Sequence, residues 1–149
     1  MVRMLRSYDA EVVSDPLDAA LARVGDRWTL LLIDALQAGP RRFGELADSV
    51  PGIAPNILSS RLKRLDEEGI VLSRYYQDRP PRLSYQLTEP GKELASALRL
   101  LAAWGARHSP EADAPRHDLC GTALEARWHC PTCDRTLEGD GSTSELGYL

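Results

Sequence analysis

Along the chain, apolar residues first recur every three or four positions, then alternate, then recur every three or four again. The first regime predicts four helices. Asp15-Pro16-Leu17-Asp18 reads as a helix start, with Asp15 as cap, Pro16 at the first helical position and Asp18 in the first turn. That helix should end near Gly25. A second fits "RWTLLLIDALQAG", with Trp28, Leu31, Leu32, Ala35 and Leu36 at helical spacing, Trp28 in the core and Gly39-Pro40 as a stop. A third, short one fits "RFGELADSV", with Phe43, Leu46, Ala47 and Val50 facing inward before Pro51-Gly52. In the fourth, "PGIAPNILSSRLKRLDEEGIV", Pro55 takes an early helical position, Leu58, Leu62 and Leu65 form the buried stripe, and Gly69 closes the helix.

After Gly69 the period shortens to two. "IVLSRYY" and "LSYQLT" are β-prone, and Leu83, Tyr85 and Leu87 alternate with Ser84 and Gln86, which predicts a two-stranded hairpin. Its connection, "QDRPPR", carries Arg79 and Arg82 around Pro80-Pro81. Thr88 then caps a long helix with Leu94, Leu98, Leu101 and Ala102 on one side and Gly91 as a mild weakness near its start. Two strands do not stand alone, so this helix must cover the domain or pair with a second copy of itself. "SPEADAPRH" follows as a polar linker.

The order short helix, turn, helix, hairpin defines a helix-turn-helix followed by a wing, in which the second helix presents its outer side to the DNA major groove. At about 100° per residue, Asn56, Ser60 and Lys63 lie opposite the leucine stripe, Arg64 lies at its margin and Arg61 falls near the core edge. Arg61 therefore reads as a structural, ion-paired residue. Asparagine pairs with adenine, lysine and arginine with guanine, and serine with several edges. Asn56, Ser59 and Ser60 are thus candidates for base edges, and Lys63 and Arg64 for bases or phosphates. Arg41 and Arg42 before the short helix, and Arg79 and Arg82 at the wing, add candidates for phosphate or minor-groove contact. On an isolated helix such a polar side would read as plain solvent-facing surface; the surrounding order of elements favours the nucleic-acid reading.

A net charge of −4 over 149 residues argues against that reading, but the charge is uneven. Residues 16–108 hold 13 basic against 11 acidic side chains, and residues 109–149 hold three against eight. The acidity therefore belongs mostly to the C-terminal part, which leaves basic faces in the middle. An apolar content of 43% with 27% charged residues suits a soluble foldable chain. The N-terminus lacks the apolar run of a signal peptide, and a cytoplasmic protein without membrane contact is expected.

Taken together, the G-x-x-W-T-L-L-L motif around Trp28, the R-F-x-E-L helix, the L-x-x-R-L-x-x-L helix, and "RPPRLSYQLTEPGKEL" with Trp104 resemble the HxlR-type bacterial winged helix-turn-helix regulators, relatives of MarR. The likeness runs from about Pro16 to His108. It implies a homodimer joined through the terminal helices, with Leu94, Leu98, Leu101 and Trp104 serving the interface and core, and recognition helices in successive major grooves. Some family members sense electrophiles through a Cys-Pro pair before the first helix; Asp15-Pro16 stands here instead.

All three cysteines follow residue 115. His117-x2-Cys120 and Cys130-x2-Cys133 form two short knuckles nine residues apart, each followed by a turn-forming residue, which matches a closed, structural Cys3His zinc site. His129 is a rival fourth ligand, disfavoured by its adjacency to Cys130. A redox dithiol would need a βαβ setting that this segment is too short to supply.

The expected fold class is mainly α with a β-hairpin wing (α+β), a winged helix-turn-helix with a zinc-ribbon-like appendage. Its parts are an N-terminal arm at 1–15, the DNA-binding and dimerisation domain at 16–108, a linker at 109–116, the zinc-knuckle segment at 117–137 and an acidic tail at 138–149. The expected function is a homodimeric regulator, a repressor, that binds double-stranded DNA by sequence; no enzyme is expected, since no nucleophile-base constellation is present. The alternatives are a winged-helix and zinc-ribbon module for protein partners, a thiol- or metal-responsive sensor, and a redox enzyme using Cys130 and Cys133. The sequence names no small-molecule effector.

Overall fold

A computed structural model describes residues 15–137; the acidic tail and all of the N-terminal arm but Asp15 lie outside them. The element order is α1 (Pro16–Val24), α2 (Arg27–Leu36), β1 (Arg41–Arg42), α3 (Phe43–Ser49), α4 (Pro55–Glu67), β2 (Val71–Asp78), β3 (Pro81–Leu87), α5 (Glu89–His108), β4 (Trp128–Cys130) and β5 (Arg135–Leu137). Of the described residues, those up to Ala95 form one compact unit and those from Ser96 a second. Among the described residues, no helix is long and apolar enough to cross a membrane.

Local chemistry sets the helix starts. The Asp15 carboxylate accepts the Leu17 N–H with Pro16 in the first turn, and Asp26 accepts the Trp28 and Thr29 N–H groups at the head of α2. Both carboxylates satisfy donors that a helix N-terminus leaves unpaired. Arg42 precedes α3, and the Glu45 side chain reaches back to its N–H at 2.7 Å. Thr88 Oγ1 accepts the Gly91 N–H and itself donates to the Gly69 carbonyl, which ties the head of α5 to the end of α4.

The core of the first unit is built on Leu58, Leu62 and Leu65 of α4, all at most 1% exposed, packed with Leu32, Ile33 and Leu36 of α2, Leu46 of α3, and Ile70 and Val71. Each such side chain contributes about 1.5–3 kcal/mol by leaving water. The stripe on α4 is the one its spacing predicts. On α2 the buried residues are Thr29, Leu32, Ile33 and Leu36 instead of the Trp28, Leu31 and Ala35 side. Trp28 is only half-buried, with the Arg27 guanidinium over its ring at 4.8 Å, and Leu31 is exposed. The run Leu30–Ile33 is apolar in every direction, so the capping of Asp26 and its partners decide which side turns inward. Phe43 also departs from expectation and is exposed at the start of α3.

The hairpin gains a third strand. β1 pairs antiparallel with β3, Arg41 opposite Tyr85 and Arg42 opposite Ser84, so the sheet order is β1-β3-β2. β2 and β3 pair from Val71↔Leu87 to Asp78↔Pro81, with an irregularity between Tyr75 and Gln77. Their connection is Arg79-Pro80 alone. Arg82, expected in the loop, therefore lies on β3 opposite Gln77.

The second unit comprises the outer part of α5 and two small turns. One brings Arg116 opposite Ala123, and the other is the β4-β5 hairpin, Trp128↔Leu137 to Cys130↔Arg135. No side chain between residues 109 and 136 is buried.

Candidate nucleic-acid interface

The leucine stripe fixes what α4 shows to solvent. Asn56, Ser59, Ser60, Lys63 and Arg64 are all exposed on the helix whose other side is sealed by Leu58, Leu62 and Leu65. Lys63 lies 3.7 Å from Glu67, one turn on, with most of its side chain in solvent. Ser60 Oγ accepts a long hydrogen bond from Arg61 at 3.3 Å.

Two arginines hold this helix in place. Arg61 Nε lies 2.8 Å from Asp26 Oδ2, the carboxylate that also caps α2, which is the structural role its place on the wheel predicts. Burial alone would raise the Asp26 carboxyl, but the Thr29 hydroxyl, the Arg61 guanidinium and the Thr29 N–H outweigh it and hold the group below its ordinary range. Arg64, a candidate for bases or phosphates, donates to the Ala22 carbonyl at 2.7 Å. Arg23 of α1 pairs with Glu68 at 2.7 Å, so α1 is fastened to the far end of α4 from both sides.

The remaining arginines divide in the same way. Arg41 donates to the Ala35 carbonyl at 2.8 Å and to Ser49 Oγ at 3.0 Å, which uses its guanidinium to join α2 and α3. Arg42 is exposed and lies 4.4 Å over the Tyr76 ring. The residues Arg42, Phe43, Glu45, Tyr76, Arg82 and Tyr85 line a shallow hollow of about 580 Å³ between α3 and the sheet. Burial, with the Asp66 charge second, raises the Tyr85 hydroxyl above its usual range. Arg79 and Arg82 are exposed at the hairpin end.

The structure thus brings Asn56, Ser59, Ser60 and Lys63 onto one open face and sets Arg79 and Arg82 at the wing, while Arg41 and Arg64 have partners inside the protein. Sequence reasoning missed Asp26 and Tyr76. Asp26 was legible as a cap, since it stands immediately before an apolar helix; Tyr76 carried no signal, because its use depends on β1 placing Arg42 beside β2.

In the second unit, His117 Nδ1 lies 3.3 Å from Cys120 Sγ, and Cys130 and Cys133 are hydrogen-bonded to each other. N–H groups from Cys133 and Thr132, together with the Cys133 thiol, lower the Cys130 thiol; the side-chain bond to Cys130 raises Cys133. The Thr122 hydroxyl and N–H lower Cys120. His129 Nε2 lies 3.0 Å from Asp134 Oδ1. Among the described residues, no three His, Cys, Asp or Glu side chains converge as a metal site requires, so the four expected ligands stand as two pairs. On α5, Leu94 and Leu98 are half-buried and Leu101 and Trp104 exposed.

Comparison with known proteins places this geometry. Residues 23–113 match the family described as HxlR-like helix-turn-helix. An uncharacterized HTH-type transcriptional regulator of Mycobacterium tuberculosis is 39% identical over 132 residues, 86% of this chain and 83% of the relative. The HTH-type transcriptional regulator YodB of Bacillus subtilis is 34% identical over 88 residues, 59% of this chain and 79% of its own. Among solved structures, a regulator named YtcD superposes with a TM-score of 0.60 at 32% identity, covering 64% of this chain and 97% of that one. The redox regulator HypR in its reduced form gives 0.60 at 30% identity, over 63% and 93%.

Proposed function

The chain belongs to the HxlR-like helix-turn-helix family of transcriptional regulators, and from that premise we propose that it is a homodimeric repressor that reads duplex DNA with α4. Helix α4 enters the major groove, Asn56, Ser59 and Ser60 meet base edges, and Lys63 meets a base or phosphate. The β2-β3 hairpin is the wing, with Arg79 and Arg82 on the flanking backbone. Arg42 adds a phosphate contact from the head of α3, its planar group pre-set by the Tyr76 ring. Arg41, Arg61 and Arg64 act at one remove, by fixing the angle of the helices they join.

The observation that carries this reading is the pairing of a fully sealed leucine side with an open polar side on one rigid helix, pinned at Asp26 and at Ala22. A helix locked so tightly and left so open on one side is suited to enter a groove as a rigid body. Homodimerisation is supported by the apolar surface of α5, where Leu100, Leu101 and Trp104 are each more than 40% exposed. Of the similar solved proteins, HypR is described as a redox regulator, and YodB is described in a diamide-treated and in a reduced form. This chain has no cysteine before Cys120, so its thiol chemistry is confined to the C-terminal segment.

Fluorescence anisotropy tests the reading, using the full chain, a duplex from upstream of its own gene, a panel of genomic duplexes and a scrambled control across a salt series. Tight binding to one natural duplex, weakening steeply with salt because phosphate neutralisation releases counterions, is the expected result. Equal, weak binding to every duplex in the panel would overturn it in favour of a protein-interaction role.

A further inference from the structure

We propose that His117, Cys120, Cys130 and Cys133 of one chain bind a single structural Zn²⁺. None of these four residues is among those assigned to DNA contact.

The two turns that carry these residues are built alike. In each, two donors are three residues apart, and the residue after the second donor has positive φ: Gly121 at 70° and Asp134 at 51°. The first donor then faces the residue five positions on, through the His117 N–H to the Thr122 carbonyl in one turn and the Cys130↔Arg135 pairing in the other. The flanking residues repeat the match, Arg116↔Ala123 and His129↔Thr136. Asp134 takes the left-handed backbone form that, besides glycine, mainly aspartate and asparagine adopt, at the position where the first turn uses Gly121. Two unrelated surface loops have no reason to share every one of these features. Two halves of one tetrahedral site do, because each must present its two donors on one edge.

The spacing fits that edge. With Zn–S near 2.3 Å and Zn–N near 2.0–2.1 Å, a tetrahedral angle sets N and S about 3.5 Å apart. His117 Nδ1 and Cys120 Sγ are 3.3 Å apart. The rival ligand is turned elsewhere: His129 precedes Cys130 in β4, where successive side chains point to opposite faces, and its ring engages Asp134. Three thiolates and one imidazole form a closed, soft donor set that suits zinc and leaves no position for a reacting water.

An independent observation explains why metal is needed. No side chain from 109 to 136 is buried, with Leu119 91% and Trp128 58% exposed, so apolar packing cannot hold these turns. Metal supplies the join between the two pairs. It also closes the ends of the connector whose residues Leu124–Trp128 line, with Leu100 and Ala103 of α5, a hollow of about 530 Å³.

The test uses the full-length protein purified without added metal, with metal content by mass spectrometry, Co²⁺ substitution and chelator competition. One zinc per chain, intense tetrahedral Co²⁺ d–d bands with thiolate charge transfer, and slowed hydrogen exchange over 117–135 on metal addition are expected. Loss of one outer partner of a ligand already weakens metal binding about 10–100-fold; His117→Ala and Cys130→Ser should each weaken it by more, and His129→Ala should leave it unchanged. Absence of zinc after loading, retention of zinc by the Cys130→Ser/Cys133→Ser double variant, or half a zinc per chain bridging two copies would each overturn the proposal. Zinc lost in His129→Ala but kept in His117→Ala would overturn the donor assignment. Circular dichroism of each variant's winged domain shows whether the chain has otherwise folded.

Discussion

Asp26 does three things at once: it caps α2, accepts from the buried Thr29 hydroxyl and pairs with Arg61 of α4. Its carboxyl is held below its ordinary value of 3.8, so the ionised form favours the folded chain. That contribution is complete above the ordinary value and fades as pH falls through the lower folded one. The melting temperature of Asp26→Asn should therefore trail that of the parent by a constant gap above about pH 5, and the gap should close in more acid solution; a gap that widens on acidification would contradict this role. On the outer side of the helix, Lys63→Ala is expected to reduce the salt slope of DNA binding by about one unit for all sequences, and Asn56→Ala to cost about 1–3 kcal/mol against the preferred sequence alone. Anisotropy against matched and mismatched duplexes separates the two. The outward position of Asn56 and Lys63 was legible in the sequence, because distance from a leucine stripe is a matter of arithmetic. The internal engagement of Arg41 and Arg64 was not, since their acceptors are backbone carbonyls, which no pattern of side chains reveals.

Among the elements, α4 could be read almost entirely, from Pro55 at its head to Gly69 past its end. Helix α2 could be placed but not oriented, since its apolar run offers several faces and the Asp26 network chooses one. Strand β1 had no signal at all: two arginines make no period, and the strand exists because β3 offers a free edge. Gly91 had been legible only as a weakness. A Cβ there would stand 2.2 Å from the Ile70 carbonyl oxygen, so the residue is what lets α5 lie against the start of β2. Although alanine is the better helix former, Gly91→Ala should destabilise the protein by about 1–3 kcal/mol, the range for overpacking, as read from urea unfolding. An increase in stability would mean that α5 has room to move away.

For the whole molecule, the proposed dimer rests on apolar surface that a lone chain leaves in water. Leu101→Glu with Trp104→Glu should convert a dimer into a monomer by sedimentation equilibrium, leave the far-ultraviolet spectrum intact and cost most of the affinity for a two-half-site duplex. Unchanged mass would remove α5 from the interface. The resemblance in the sequence foretold the winged domain because its helices and hairpin are written in side-chain periods. In the C-terminal segment the sequence offered only the spacing of His117, Cys120, Cys130 and Cys133; the likeness of its two turns is a property of backbone angles, which appears only in three dimensions. One further consequence concerns the junction at Arg42, the last residue of β1 and the one on which α3 begins. Strand and helix meet with no residue to spare, so wing and helix-turn-helix are geared together. A single glycine inserted between Arg42 and Phe43 would act as a clutch: the melting temperature would fall by the cost of the lost Glu45–Arg42 cap, about 0.5–2 kcal/mol, while the strength of DNA binding would fall further. The same glycine inserted in the turn at Gly52, between α3 and α4, would alter instead how α4 is presented to the DNA it is proposed to read.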